Sequence, residues 1–153
     1  MYIDNPTNEM CLEAVKQSGH VLQYVKNQTD EICVEAIKKN CDAIAYVHTQ
    51  TLELCMMAMN INPLAFRYVK IQTYEMCMMA VKYWFGGLSY VKNQTDELCL
   101  EAVKRCGSAL EYVINKTEEI CIEAVKNKPM AIKYVDNQTE EMCKLAVRNI
   151  DCL

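Results

Sequence analysis

The chain has 153 residues, is 52% apolar and carries a formal net charge of −4, with acids and bases mixed along its length. That balance gives no electrostatic footprint for nucleic acid, and the short uncharged run near Met56 to Met59 cannot span a membrane. Met1-Tyr2-Ile3-Asp4-Asn5 has none of the regions of a secretory leader, so the expectation is a non-secreted protein with no membrane partner.

Self-similarity dominates the pattern. Thr7, Thr29, Thr51, Thr73, Thr95, Thr117 and Thr139 recur every 22 residues, and each is followed two residues later by Glu and four later by Cys. Ala recurs from Ala14 to Ala146 and Tyr from Tyr2 to Tyr134 at the same interval. A fixed period in this range marks a stacked array in which each unit buries its apolar face only against its neighbours. The expected fold is therefore all-α: one right-handed α-solenoid domain over 1–153. Its units are 7–28, 29–50, 51–72, 73–94, 95–116, 117–138 and 139–153.

Within each unit the elements follow in order. Thr provides the N-cap and the acids after it favour the positive end of a helix, as in Thr95-Asp96-Glu97. Leu98, Cys99, Ala102, Val103 and Cys106 share one face at helical spacing. This predicts a first helix of about 11 residues. Gly19 and Gly107 are expected to stop it in a left-handed cap, whereas Pro63 and Pro129 open the next helix. The second segment, such as Val21-Leu22 with Tyr24-Val25, repeats apolar residues without strict alternation, which favours a helix of about 6–7 residues over a strand. Asn27, Asn93, Asn115 and Asn137 then suit a left-handed return to the next Thr. The shared seam is expected to carry thiol, methyl and phenol groups in register.

The cysteines follow the repeat, not a disulfide pattern. Stacked helices lie about 8–10 Å apart, beyond the roughly 7 Å between Cα atoms that a disulfide spans, so the ladder Cys11 to Cys143 reads as buried, reduced thiols.

The phrase Tyr90-Val91-Lys92-Asn93-Gln94-Thr95-Asp96-Glu97-Leu98-Cys99-Leu100-Glu101-Ala102-Val103-Lys104 resembles short helical repeats in paralogous proteins of giant amoeba-infecting DNA viruses related to mimivirus. More loosely, it is similar to a repeat of some intracellular bacterial effectors. The resemblance implies a viral protein without an assigned enzymatic role, acting in the cytoplasm of an infected host cell or carried in the virion.

Deviations from the template mark what is particular to this chain. Glu35 with Lys39, and Glu101 with Arg105, form i, i+4 charge pairs on the outer helix face. The same slots hold Met57 with Ile61 and Met79 with Tyr83 in repeats three and four. The residue after the capping Thr becomes Leu52 and Tyr74, and Met56 and Met78 lie one turn on. These eight residues predict an apolar interaction patch for a protein partner or a second copy, as in a homodimer. Trp84 is expected as a buried plug, and Gly86-Gly87 to loosen the second helix of that repeat.

No residues suggest a reaction or call for a cofactor, metal or small-molecule substrate. His20 and His48 occupy different slots and lack metal-ligand spacing. Cys41, Cys106 and Cys152 stand off the ladder without a partnered base. The alternative is a nucleic-acid-binding repeat using Lys16, Lys38, Lys82, Lys104, Lys126 and Arg148, but the glutamates on the same helices make that the weaker reading.

Overall fold

A computed structural model describes residues 6–148 of the chain; Cys152 lies outside them. Among the described residues there are seven α-helices: α1 Asn8–Gln17, α2 Asp30–Lys39, α3 Leu52–Ile61, α4 Tyr74–Tyr83, α5 Asp96–Arg105, α6 Glu118–Asn127 and α7 Glu140–Arg148. Between them lie short 3-10 helices: η1 Gly19–Tyr24, η2 Cys41–Tyr46, η3 Pro63–Tyr68, η4 Gly87–Tyr90, η5 Gly107–Tyr112 and η6 Pro129–Tyr134. No strand occurs among the described residues. The architecture is an all-α solenoid of helix pairs.

The chain divides into two compact units, Met1–Gln72 and Thr73–Leu153. In the first, α1, α2 and α3 stack in order, with η1, η2 and η3 behind them. In the second, α4 to α7 do the same over η4, η5 and η6.

Each α-helix starts where the sequence says. Every repeat's Thr accepts from the amide three residues on, at 3.3–3.4 Å, from Thr7 with Met10 to Thr139 with Met142. The helices end differently from expectation. Ser18, Asn40, Asn62, Trp84, Cys106 and Lys128 close them in extended conformation, and no described residue has a positive φ. The left-handed caps expected at Gly19 and Gly107, and the left-handed asparagine turns, are therefore absent. Glycine is present for space instead. A Cβ on Gly107 would lie 2.4 Å from the Ala124 carbonyl oxygen of the next repeat, and one on Gly19 the same distance from that of Ala36.

The second helix is 3-10, and this sorts its residues. At three residues per turn, positions i and i+3 eclipse, so Leu22 with Val25, Ile44 with Val47 and Phe66 with Val69 face the core together. Tyrosine falls between them. Tyr24 is 70% exposed, and Tyr46, Tyr68, Tyr112 and Tyr134 are half-buried. The phenols thus do not line the seam; Val and Leu or Ile do. The α-helices contribute Cys, Ala and a β-branched or Leu/Met neighbour, as in Ile32, Cys33, Ala36 and Ile37. Burying such aliphatic side chains is worth about 1.5–3 kcal/mol each. This burial, not the propensity of ten-residue helices, holds the stack together.

Candidate interaction surface and the glutamine ladder

Repeats three and four carry the substituted outer faces. On α3, Leu52 and Ile61 are exposed, and Met56 and Met57 are half-buried. On α4, Tyr74 and Tyr83 are exposed, and Met78 and Met79 half-buried. At about 100° per residue, Glu53 and Asn60 occupy the middle of the outward face of α3, with the apolar side chains on either flank; Glu75 and Lys82 do so on α4. Met56 and Met78 are also less distinctive than their sequence suggests. Their slot holds Leu12, Val34, Leu100 and Ile122 in other repeats, all half-buried. The distinctive residues are thus Leu52, Met57 and Ile61 on one helix, and Tyr74, Met79 and Tyr83 on the other.

Elsewhere the same faces carry charge pairs. Glu13–Lys16, Glu35–Lys38 and Glu123–Lys126 close at 3.0, 2.8 and 2.7 Å. Glu35 therefore pairs with Lys38, not Lys39, while Glu101–Arg105 does form at 3.9 Å. The Lys38 partner lowers the Glu35 carboxyl, and Glu13 raises the Lys16 ammonium. Tyr74 leans toward the next repeat of its unit: partial desolvation, a hydrogen bond with Glu97 and the charges of Glu97 and Glu101 all raise its hydroxyl. Trp84 is half-buried and packs on Tyr90 at a centroid distance of 5.0 Å. It is not a core plug, because its slot is a helix terminus at the surface.

Behind these faces runs a feature that the sequence reading passed over. The Nε2 of Gln50 donates to the Ile44 carbonyl at 2.9 Å and to the Tyr68 carbonyl of the next repeat at 3.0 Å. Its Oε1 accepts from the Lys70 amide at 2.8 Å and from the Cys55 thiol at 3.6 Å. Gln28 makes the same four contacts with Leu22, Tyr46, His48 and Cys33. Gln94 does so with Leu88, Tyr112, Ile114 and Cys99. One amide thus ties two successive 3-10 helices and one ladder thiol together. The signal was present in the strict period of Gln28, Gln50, Gln72, Gln94 and Gln138. Two of each full set of four partners lie 18 and 20 residues away, beyond the reach of local spacing.

The thiols are accordingly structural. Cys11, Cys33, Cys55, Cys77, Cys99 and Cys121 are buried and free, whereas Cys143 is exposed. Burial pushes Cys33, Cys55 and Cys77 up; burial, with Asp96 adding to it, raises Cys99 to about 11. Such thiols are neutral at pH 7 and poor nucleophiles. His20 sits against the Asn40 amide at 2.7 Å and edge-on to Tyr46. His48 borders a depression of about 400 Å³ between two capping loops of the first unit. Gln28 and Cys33 also line it, and both are already engaged with each other and the backbone.

A family model described as "Domain of unknown function (DUF4116)" matches residues 8–50 and 95–140. The two matched segments cover more than half of the chain and leave the substituted repeats three and four between them. No curated protein and no solved structure matches.

Proposed function

The chain belongs to the DUF4116 family, and on that premise we propose that it is a non-enzymatic scaffold that associates with a protein partner or a second copy through repeats three and four. One observation carries this reading. Leu52, Ile61, Tyr74 and Tyr83 are exposed in slots that elsewhere hold polar or charged side chains such as Asp30 and Lys39. Large exposed apolar groups on a soluble protein mark interaction sites, and Tyr and Met suit them because they contribute much contact area and adapt in shape. The neutral, hydrogen-bonded thiols support a role without covalent chemistry. The resemblance to repeats of giant amoeba-infecting viruses supports a viral protein at work in the host cytoplasm or packaged in the virion.

The nucleic-acid alternative is weakened by geometry, since Lys16, Lys38 and Lys126 are each paired with a glutamate one turn back. The test is light scattering over a dilution series on the unmodified protein and on Met57→Glu with Tyr83→Lys, which returns charge to those slots. The expected result is an oligomer that falls to monomer mass in the double variant. An oligomer of unchanged mass and affinity would remove these faces from consideration.

A further inference from the structure

The second unit carries a separate surface at the turns between its α-helices and 3-10 helices. In other repeats the first residue after the helix cap is Gly19, Cys41, Pro63, Gly107 or Pro129, each buried or half-buried. In repeat four it is Phe85, which is 57% exposed. The cause is local. η4 begins only at Gly87, two residues late, and Gly87 packs against its own helix α4: a Cβ there would lie 2.6 Å from the Ala80 carbonyl oxygen. Of the turn Trp84-Phe85-Gly86, Phe85 is left outside the stack, while Gly86 is buried beneath the Trp84 ring. Two repeats further along the same edge Met130 is also exposed.

Around these side chains the edge is basic. Lys82, Lys104, Arg105 and Lys128 are all exposed at the last turns and caps of α4, α5 and α6. The edge is continuous between α5 and α6, where Asn127 bridges the Gly107 amide at 2.6 Å and the Lys104 carbonyl at 2.8 Å. Of the carboxylates of these helices, Glu75, Asp96, Glu97, Glu118 and Glu119 lie at the other ends, whereas Glu101 sits mid-helix and pairs with Arg105 at 3.9 Å, and Glu123 pairs with Lys126 at 2.7 Å.

We propose that this edge is a docking surface for an anionic lipid bilayer, with Phe85 and Met130 entering the headgroup layer and the surrounding cations meeting lipid phosphate and carboxylate. Apolar side chains set in a basic rim are the two signals that together give stable attachment to a membrane surface without a span. Single-stranded nucleic acid also takes basic aromatic surfaces, but by stacking bases on open rings. Here Phe85 is the one open ring, because the indole of Trp84 already packs on Tyr90 and over Gly86, and Met130 offers no ring for a second base.

Trp84 is the chain's single tryptophan and reports directly on this turn. The protein is mixed with vesicles of phosphatidylcholine alone, or with about one-third phosphatidylserine, and followed by co-sedimentation and Trp84 emission. The expected result is sedimentation with the anionic vesicles only, weakened by salt, with Trp84 emission shifted to shorter wavelength. Phe85→Ser with Met130→Ser should lower the partition about tenfold, and Lys104→Glu with Lys128→Glu should abolish it, with circular dichroism unchanged in both. Any one of three results would overturn the assignment: no binding to anionic vesicles, equal binding to neutral ones, or a Trp84 response to a single-stranded oligonucleotide but not to lipid.

Discussion

The rung at Gln50 in the first unit and the rung at Lys116 in the second occupy the same slot of the repeat, yet are built on opposite principles. Gln50 is almost fully enclosed and meets four partners with one amide. Lys116 has donors but no acceptor, so it cannot take the amide or the thiol that the glutamine holds. Its Nζ reaches instead to the Asp136 carboxylate at 3.4 Å, 20 residues on, in the slot whose backbone amide Gln50 grips in its own repeat. The comparison shows that stacking tolerates an ion pair at one rung. It also shows that the amide is the more complete solution, because it answers backbone groups that an ammonium leaves to others.

The largest effect should come from removing the enclosed amide. Gln50→Leu keeps the volume but removes the side-chain partner of the Tyr68 carbonyl and the Lys70 amide, while the Ile44 carbonyl still accepts from the Val47 amide. Polar groups that lose a partner in partly buried surroundings cost about 1–3 kcal/mol each, so the expected loss is about 3 kcal/mol in denaturant unfolding. Gln138→Leu is the control in the other unit. Gln138 is exposed and, among the described residues, its one hydrogen bond is to the Ile132 carbonyl, so the loss should be about 0.5 kcal/mol. Equal losses at the two positions would mean that the ladder is not what ties the repeats.

How much of this was legible follows from the reach of each interaction. The Thr caps, the buried Cys and Ala faces and the helix pair were readable because their partners lie within four residues and recur at a fixed period. The chain gave no local mark of the glutamine contacts to the next 3-10 helix, 18 and 20 residues away. The glycines misled for a related reason. Gly107 follows a helix, as a left-handed cap would, but the constraint is the Ala124 carbonyl of the next repeat, which becomes a neighbour only after stacking. Of the interaction surface, the substitutions at Leu52 and Tyr74 were readable by comparing copies. The same comparison places Met56 and Met78 in a slot that is apolar in most repeats, which sets them apart from the substituted outer positions. Phe85 was hidden because its exposure depends on where η4 begins.

The glycine reading sharpens into a second, smaller effect. Gly107→Ala places a methyl within 2.4 Å of the Ala124 carbonyl oxygen and 2.8 Å of the Lys128 Cβ. The repeats must separate, at about 2 kcal/mol by the usual cost of overpacking. For Gly86→Ala the nearest atoms are those of the Trp84 ring, at 3.1–3.3 Å. That side chain can yield, so the loss should stay under about 1 kcal/mol. Thermal unfolding of the two variants separates a steric requirement at Gly107 from a general preference for glycine at helix ends. A left-handed cap would instead make alanine costly through backbone strain, and asparagine would then be a good replacement. Close packing predicts that Gly107→Asn is worse than Gly107→Ala.

The smallest effect returns to the exceptional rung. Lys116→Gln should let Oε1 accept from the Asp136 amide and the Cys121 thiol, and let Nε2 donate to the carbonyls of Leu110 and Tyr134, the positions matching Gln50's partners. What is lost is an ion pair whose Asp136 side chain is 80% exposed, worth about 0–1 kcal/mol. What is gained is a set of neutral hydrogen bonds in partly buried surroundings, each worth about 1 kcal/mol. The net expectation is stabilisation by about 1 kcal/mol, read as a raised melting temperature. Cys121 supplies a second signal: its thiol is raised by burial but pulled back by the Lys116 charge, so the variant should titrate at higher pH. A destabilised Lys116→Gln protein would show that Asp136 has become the essential partner. In that case Asp136→Asn should be as costly in the unmodified chain as Lys116→Gln itself, and harmless once Lys116 is gone.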